Sequence, residues 1–244
     1  MKLDDIKKLQ HKKYRQAFGC FVVEGEHLVL ELQKAAQHNP ELLRSELYVT
    51  DAFQHWESPF RTQLVSARQF RQLADTETPQ GILGVVPIAA NAARPGSGGN
   101  EKAIYLHEVQ DPGNLGTILR TLAWFGGFRL LLSPGSVDPY NPKAVRASLG
   151  ALFHVPMELD VDAAALSTRF RRCAGLDLHG ESTRAANFAD FDCYLFGNEA
   201  RGLPAELLLQ LDAKRYAISG SGALESLNLA TAVNICAYEL SRRA

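Results

Sequence analysis

The chain has 244 residues, of which 46% are hydrophobic and 22% charged, an ordinary balance for a soluble globular protein with one large or two modest domains. Its 26 basic and 27 acidic residues leave a formal net charge of -1, so any contact with nucleic acid must come from a local patch. No apolar run approaches the ~20 residues needed to cross a bilayer, and the N-terminus, "MKLDDIKKLQHKKYRQ", lacks a signal-type apolar stretch, so a cytoplasmic location is expected.

In chain order, a basic helical pattern comes first, with Lys7, Lys8, His11, Lys12, Lys13 and Arg15 close together. It reads either as a solvated helix face or as a phosphate-binding patch. Then follow the strand pattern "CFVVEG", a helix through "HLVLELQKAAQ", the strands "ELYVT" and "TQLVS", a helix at "ARQFRQLAD" with Ser66 as N-cap, and the strand "GILGVV". "NAARPGSGGN" at 91–100 has linker composition. Beyond it the strand patterns "AIYLHEV", "RLLLS", "HVPMEL", "CAGLDL", "CYLFG" and "RYAIS" are separated by helical stretches, as in a parallel sheet covered on both faces. Leu229, Ala232, Val233, Cys236 and Leu240 form the buried stripe of a final helix. The expected organisation is two α/β domains. Cys20, Cys173, Cys193 and Cys236 have no CxxC spacing, and no paired histidine spacing exists, so reduced thiols and no metal are expected.

Ligands of open α/β sheets bind beyond the carboxyl ends of the strands. Loops rich in Gly and polar residues follow such ends at "QDPGNLGTILR", "GNEARGLP" and "GSGALESLNLATA". The last is not a dinucleotide fingerprint, because Glu225 stands where the third glycine belongs, and no Gly-Lys-Ser/Thr makes it a phosphate loop. Its glycines instead let the backbone approach a flat ligand such as adenine, and capping explains one of Ser226 and Asn228 but not both. In the first loop Leu115, Ile118, Leu119 and Leu122 form a buried stripe. Thr117 and Arg120 lie off it, Gly116 leaves space one turn before Arg120, and Asn114 is placed to cap.

Together these segments resemble the SpoU (TrmH-like) family of RNA ribose 2′-O-methyltransferases, within the SPOUT class. The first carries N-x-G-x-x-x-R at Asn114, Gly116 and Arg120. The second carries G-x-E-x-x-G at Gly197, Glu199 and Gly202, and the third ends in Ser226, Leu227 and Asn228 before a helix. "YNPKAVRASLGALFHVP" and, in residues 1–90, "FVVEGEHLVLEL" and "TPQGILGVV" extend the resemblance over nearly the whole chain.

The resemblance implies a C-terminal SPOUT-type parallel sheet with a trefoil knot over 101–244, preceded by a small α/β RNA-binding domain of ribosomal-protein type over 1–90. It implies S-adenosylmethionine as cofactor, touched by Gly197, Ile218 and Leu227, with Asn114, Arg120, Glu199, Ser226 and Asn228 as the catalytic cluster and Arg120 facing RNA. It implies a homodimer, and ribosomal RNA is favoured over transfer RNA as substrate. One departure stands out: the family's usual I-P-M-x-G is here Ile218, Ser219, Gly220, Ser221, Gly222, which frees a backbone angle and removes an apolar side chain near the adenine. Ala230 also replaces a usual Ser.

No histidine lies in the three motifs to act as base. The expected division of labour has Arg120 fixing a phosphate and stabilising the developing alkoxide, oriented by Asn114 and Glu199, because a guanidinium with pKa above about 12 is a costly base. Lys143, Arg146 and Arg201 are further phosphate contacts in this reading. The competing readings are a non-catalytic RNA-binding protein with a degenerate cofactor loop, and an unrelated nucleotide-binding α/β enzyme.

Overall fold

In the computed structural model the described residues are 1–91 and 101–242. Along the chain run α1 (Leu3–Lys8), α2 (Lys12–Phe18), β1 (Cys20–Glu24), α3 (Glu26–Ala36), β2 (Glu46–Val49), β3 (Arg61–Leu64), α4 (Ala67–Leu73), β4 (Ile82–Pro87) and α5 (Ile88–Asn91). There follow β5 (Lys102–Leu106), α6 (Pro112–Phe125), β6 (Phe128–Leu132), α7 (Pro142–Ser148), β7 (Met157–Glu158), α8 (Ala163–Arg169), β8 (Cys173–Ser182), β9 (Cys193–Phe196), α9 (Ala205–Gln210), β10 (Lys214–Ala217) and α10 (Leu229–Ser241). Their contacts divide the chain into two units, Met1–Ala92 with Asp138–His154, and Ala93–Val137 with Val155–Ala244. Residues 138–154 thus group with the N-terminal strands, because α7 packs on β1. Asn91, the first residue of the linker stretch, ends α5 and is buried, its amide donating to the Leu152 carbonyl at 3.1 Å. Residues 92–100, the rest of that stretch, lie outside the described residues.

The first unit is built on a sheet of order β1-β4-β2-β3, in which β4 runs antiparallel to both neighbours and β2 and β3 are parallel. Ile82, Leu83, Val85 and Val86 of the central β4 are all buried, as a strand covered on both faces requires. Ile6, Leu9, Phe70 and Leu73 pack with Tyr48, Leu83 and Val85 on one face. On the other, Gly84 lets α3 sit close, since a Cβ there would meet Leu32 Cδ2 at 3.4 Å and Val23 Cγ2 at 2.9 Å. Ser66 caps α4 in a reciprocal box with Gln69. The single basic helix expected at the N-terminus is broken into α1 and α2. Arg15 is not part of a solvated basic face: it is 3% exposed, and its guanidinium donates to the Leu9 and Gln10 carbonyls and to Asp138.

The second unit holds a wholly parallel sheet of order β10-β8-β9-β5-β6-β7. Residues 103–106, 128–132 and 193–196 are buried throughout, the run expected of strands covered on both sides. Ala103, Tyr105, Leu131 and Leu195 share one core with Leu166 of α8 and Leu207 and Leu208 of α9, while α6 and α10 pack against each other. The "HVPMEL" pattern yields only the two-residue β7, whereas "CAGLDL" extends to Ser182 as β8, with a register shift against β10. From β5 the chain continues to β6 and β7 on one side, and β9 lies on the other. The crevice of such a reversal lies at the carboxyl ends of β5 and β9. Among the described residues no helix is long and apolar enough to cross a membrane, and no group of His, Cys, Asp or Glu is placed to hold a metal ion. All four cysteines carry free thiols.

Candidate active site

The end of β5 leads into α6 through Glu108, a non-glycine residue at φ 50°. Such a conformation persists only where surrounding contacts hold it, and here they do. The Glu108 amide donates to Ser133 Oγ at 2.7 Å, and its carbonyl accepts from Asn198 Nδ2 at 2.7 Å and Gln110 Nε2 at 2.9 Å. Asp111, not Asn114, caps α6: its carboxylate accepts from the Asn114 amide at 2.7 Å, with Pro112 opening the helix. The Asn114 side chain is thereby left for other partners.

Those partners come from the other two loops. Asn228 Nδ2 donates to Asn114 Oδ1 at 2.9 Å, and Asn114 Nδ2 donates to Glu199 Oε1 at 3.2 Å. The polarity of this chain is fixed at both ends. Asn228 Oδ1 caps α10, accepting from the Ala230 and Thr231 amides at 2.9 and 3.3 Å, so only its Nδ2 faces Asn114. Glu199 is a carboxylate that only accepts, so Asn114 must present its Nδ2 to it. Glu199 also receives the Gln110 and Asp111 amides, each at 3.1 Å. Partial burial pushes the Glu199 carboxyl up, but hydrogen bonds from its own amide, Asp111, Asn114 and Gln110 outweigh this and hold it below the ordinary glutamate range.

Asn198, which the motif reading passed over, organises the second loop. It is 7% exposed, its Oδ1 accepts from the Ala200 and Arg201 amides, and its backbone bridges to Gly202. Gly197 serves the same turn. A Cβ on it would stand 2.1 Å from the Gly202 carbonyl carbon and 2.3 Å from the Leu203 nitrogen, so this loop itself demands glycine there. The sequence signal was available in "GNE", since a buried Asn in a tight turn commonly bonds backbone two and three residues on.

Arg120 and Ser226 stand apart from this network. Arg120 is exposed on α6 and makes no hydrogen bond or ion pair among the described residues. Asn114 and Glu199 therefore bind each other rather than orienting Arg120, a correction to the expected division of labour. Ser226 is exposed without a recorded bond, so Asn228 alone is the cap. Of the further phosphate contacts expected, Arg201 is paired with Glu108 and Arg146 with Asp75, and Lys143 also has a partner. His107, just after β5, has a buried Nδ1 without a hydrogen-bond partner among the described residues, and burial pushes its pKa below the ordinary histidine value.

The third loop is open. Ile218 is half-buried after β10, Leu224 and Leu227 are 81% and 48% exposed, and between Ser219 and Leu227 the structure records one hydrogen bond, from the Ala223 amide to Ser221 Oγ. A Cβ on Gly220 or Gly222 would meet nothing within 4 Å. Unpaired backbone groups, open space over the glycines and exposed leucines fit an adenosyl group, which offers an edge of donors and acceptors and flat apolar faces.

The family model of SpoU rRNA methylases matches residues 101–238, and that of the MRM3-like substrate binding domain matches residues 2–84. The chain is 32% identical to the 23S rRNA (guanosine(2553)-2′-O)-methyltransferase RlmP of Bacillus subtilis (strain 168), over 98% of this chain and 95% of that one. It is similar to the structure of a TrmH-family chain from Porphyromonas gingivalis, with TM-score 0.83 and 30% identity over 99% of this chain and 97% of that one. It is similar also to an AdoMet-bound rRNA methyltransferase from Sinorhizobium meliloti, with TM-score 0.83 and 25% identity over 99% and 94%. The chain belongs to the SpoU rRNA methylase family.

Proposed function

We infer that the chain transfers a methyl group from S-adenosylmethionine to a ribose 2′-hydroxyl of RNA, with ribosomal RNA favoured as substrate. The observation that carries this reading is the hydrogen-bonded chain Asn228–Asn114–Glu199, which ties the three motif loops at the carboxyl end of the sheet. When bound, the cofactor supplies an electrophilic methyl carbon. Gly197, Ile218 and Leu227 would hold it, with Ser226 ordering the ribose beside Asn228. Transfer is an in-line displacement, so much of the rate comes from holding the acceptor oxygen in place. Arg120, charged and without a side-chain partner among the described residues, is suited to bind a phosphate of the target nucleotide and to stabilise the developing alkoxide. The proton would pass to a phosphate oxygen, a water or transiently Arg120.

A homodimer and a knotted chain belong to the same reading. Trp124 on α6 is 84% exposed and Tyr238 on α10 is 49% exposed, with Tyr238 against the Phe125 ring at 6.1 Å. An aromatic patch of this kind suits a second copy. The knot is what the family resemblance implies for the second unit.

Incubation of the purified chain with methyl-labelled S-adenosylmethionine and ribosomal RNA tests the activity. Label retained in alkali-resistant dinucleotides is expected. RNA binding without measurable cofactor binding by calorimetry would instead favour the non-catalytic alternative.

A further inference from the structure

The first unit carries an aromatic pair that the methyl-transfer site does not use. Tyr14 and Phe18 lie one turn apart on α2, their ring centroids 6.0 Å apart and their planes within 18°. Helical aromatic pairs usually face a core, but the one buried residue of α2 is Arg15. Its guanidinium, fixed by the Leu9 and Gln10 carbonyls and by Asp138, anchors the inner side of the helix. Tyr14 is half-buried and Phe18 38% exposed, with no ring other than Tyr14 against Phe18 among the described residues.

Two lysines stand by the Tyr14 ring. Lys13 Nζ stands 4.8 Å from the Tyr14 centroid and Lys8 Nζ 5.9 Å, and the His11 ring is 6.4 Å away. Lys7, Lys12 and Lys13 are exposed and make no ion pair among the described residues. Flat apolar faces flanked by free positive charge suit one ligand chemistry, an unstacked nucleobase with its phosphates. Every base has a π-face to offer, and neighbouring phosphates meet the lysines. A duplex, whose bases are already stacked, could use only the charges.

We propose that Tyr14 and Phe18, flanked by Lys8 and Lys13, form a stacking platform for an unpaired nucleotide of the RNA. This rests on the RNA reading above and adds to it a site and a requirement for unpaired substrate. Stacking carries no net charge, so its loss lowers affinity without changing the salt slope, whereas loss of a phosphate-binding lysine changes both.

The test uses the full chain with a fluorescently labelled single-stranded RNA of mixed sequence, and the same strand in a duplex, titrated at several salt concentrations. Phe18→Ala and Phe18→Leu are expected to weaken single-strand binding about 5- to 100-fold with an unchanged salt slope and little effect on the duplex. Tyr14→Phe, which keeps the ring, should bind as the parent does. Lys13→Ala should lower the slope. Unchanged single-strand affinity in both Phe18 variants overturns the platform, as does equal weakening toward strand and duplex. So does a loss of self-association or of thermal stability in these variants with RNA affinity intact, which would make the pair a protein contact or a helix staple. Failure of the parent chain to bind either RNA would overturn the RNA reading itself, a different result from a parent that binds and a Phe18 variant that binds equally.

Discussion

Asn228 at the start of α10 donates to Asn114 in the first turn of α6 at 2.9 Å, across 114 positions of sequence. One side chain thus does two things: its oxygen caps a helix and its nitrogen closes the site. The two roles separate by substitution. Asn228→Ser retains a capping oxygen that is too short to reach Asn114, so unfolding by urea should stay near the parent while kcat/KM falls with that of Asn114→Ala. Asn228→Ala should lose the turnover and in addition about 1 kcal/mol of stability from the missing cap.

Glu199 predicts a pH dependence with a definite sign. Its folded-state pKa lies below the ordinary value, because amide and side-chain donors together outweigh the effect of burial. A depressed carboxyl stabilises the fold above the unfolded pKa of about 4.3 and loses that contribution as pH falls through the folded value. Melting temperatures recorded between about pH 5 and pH 3 should therefore fall more steeply for the parent than for Glu199→Gln. Parallel curves would contradict the hydrogen bonding assigned to this carboxylate.

Two glycines should behave oppositely. Gly197→Ala places a methyl 2.1 Å from the Gly202 backbone, so the second loop must shift, at a cost of about 1–3 kcal/mol and with loss of turnover. Gly220→Ala meets nothing within 4 Å. It should melt like the parent, with any effect confined to KM for S-adenosylmethionine.

The site was legible in sequence because its residues sit in short motifs at strand ends, where side-chain type and spacing carry the chemistry. Asn114, Glu199 and Asn228 do meet. What spacing could not show was who bonds to whom. Asp111 rather than Asn114 caps α6, and Gly197 answers to its own loop, because both depend on approaches between distant segments. The parallel strands were readable as unbroken apolar runs, while their order is a property of crossover connections that periodicity does not encode. Arg15 is the plainest example. Lys12 and Lys13, three and two residues before it, are exposed, yet a partner far along the chain, Asp138, takes it inside.

Arg120 is expected to act through its planar fork as well as its charge. Arg120→Lys should keep cofactor binding by calorimetry and lose kcat by about 10²-fold or more, the scale of a lost transition-state contact. Near-parental turnover in that variant would remove Arg120 from the role of binding the phosphate and stabilising the alkoxide.

The central claim is most directly tested by mapping 2′-O-methylated nucleotides in ribosomal and transfer RNA from cells with the protein, without it, and with the Arg120→Lys form in its place. The account predicts a ribosomal RNA ribose that is methylated only when the parent chain is present. Identical maps in all three cells, or a change that falls on a base rather than a ribose, would contradict it.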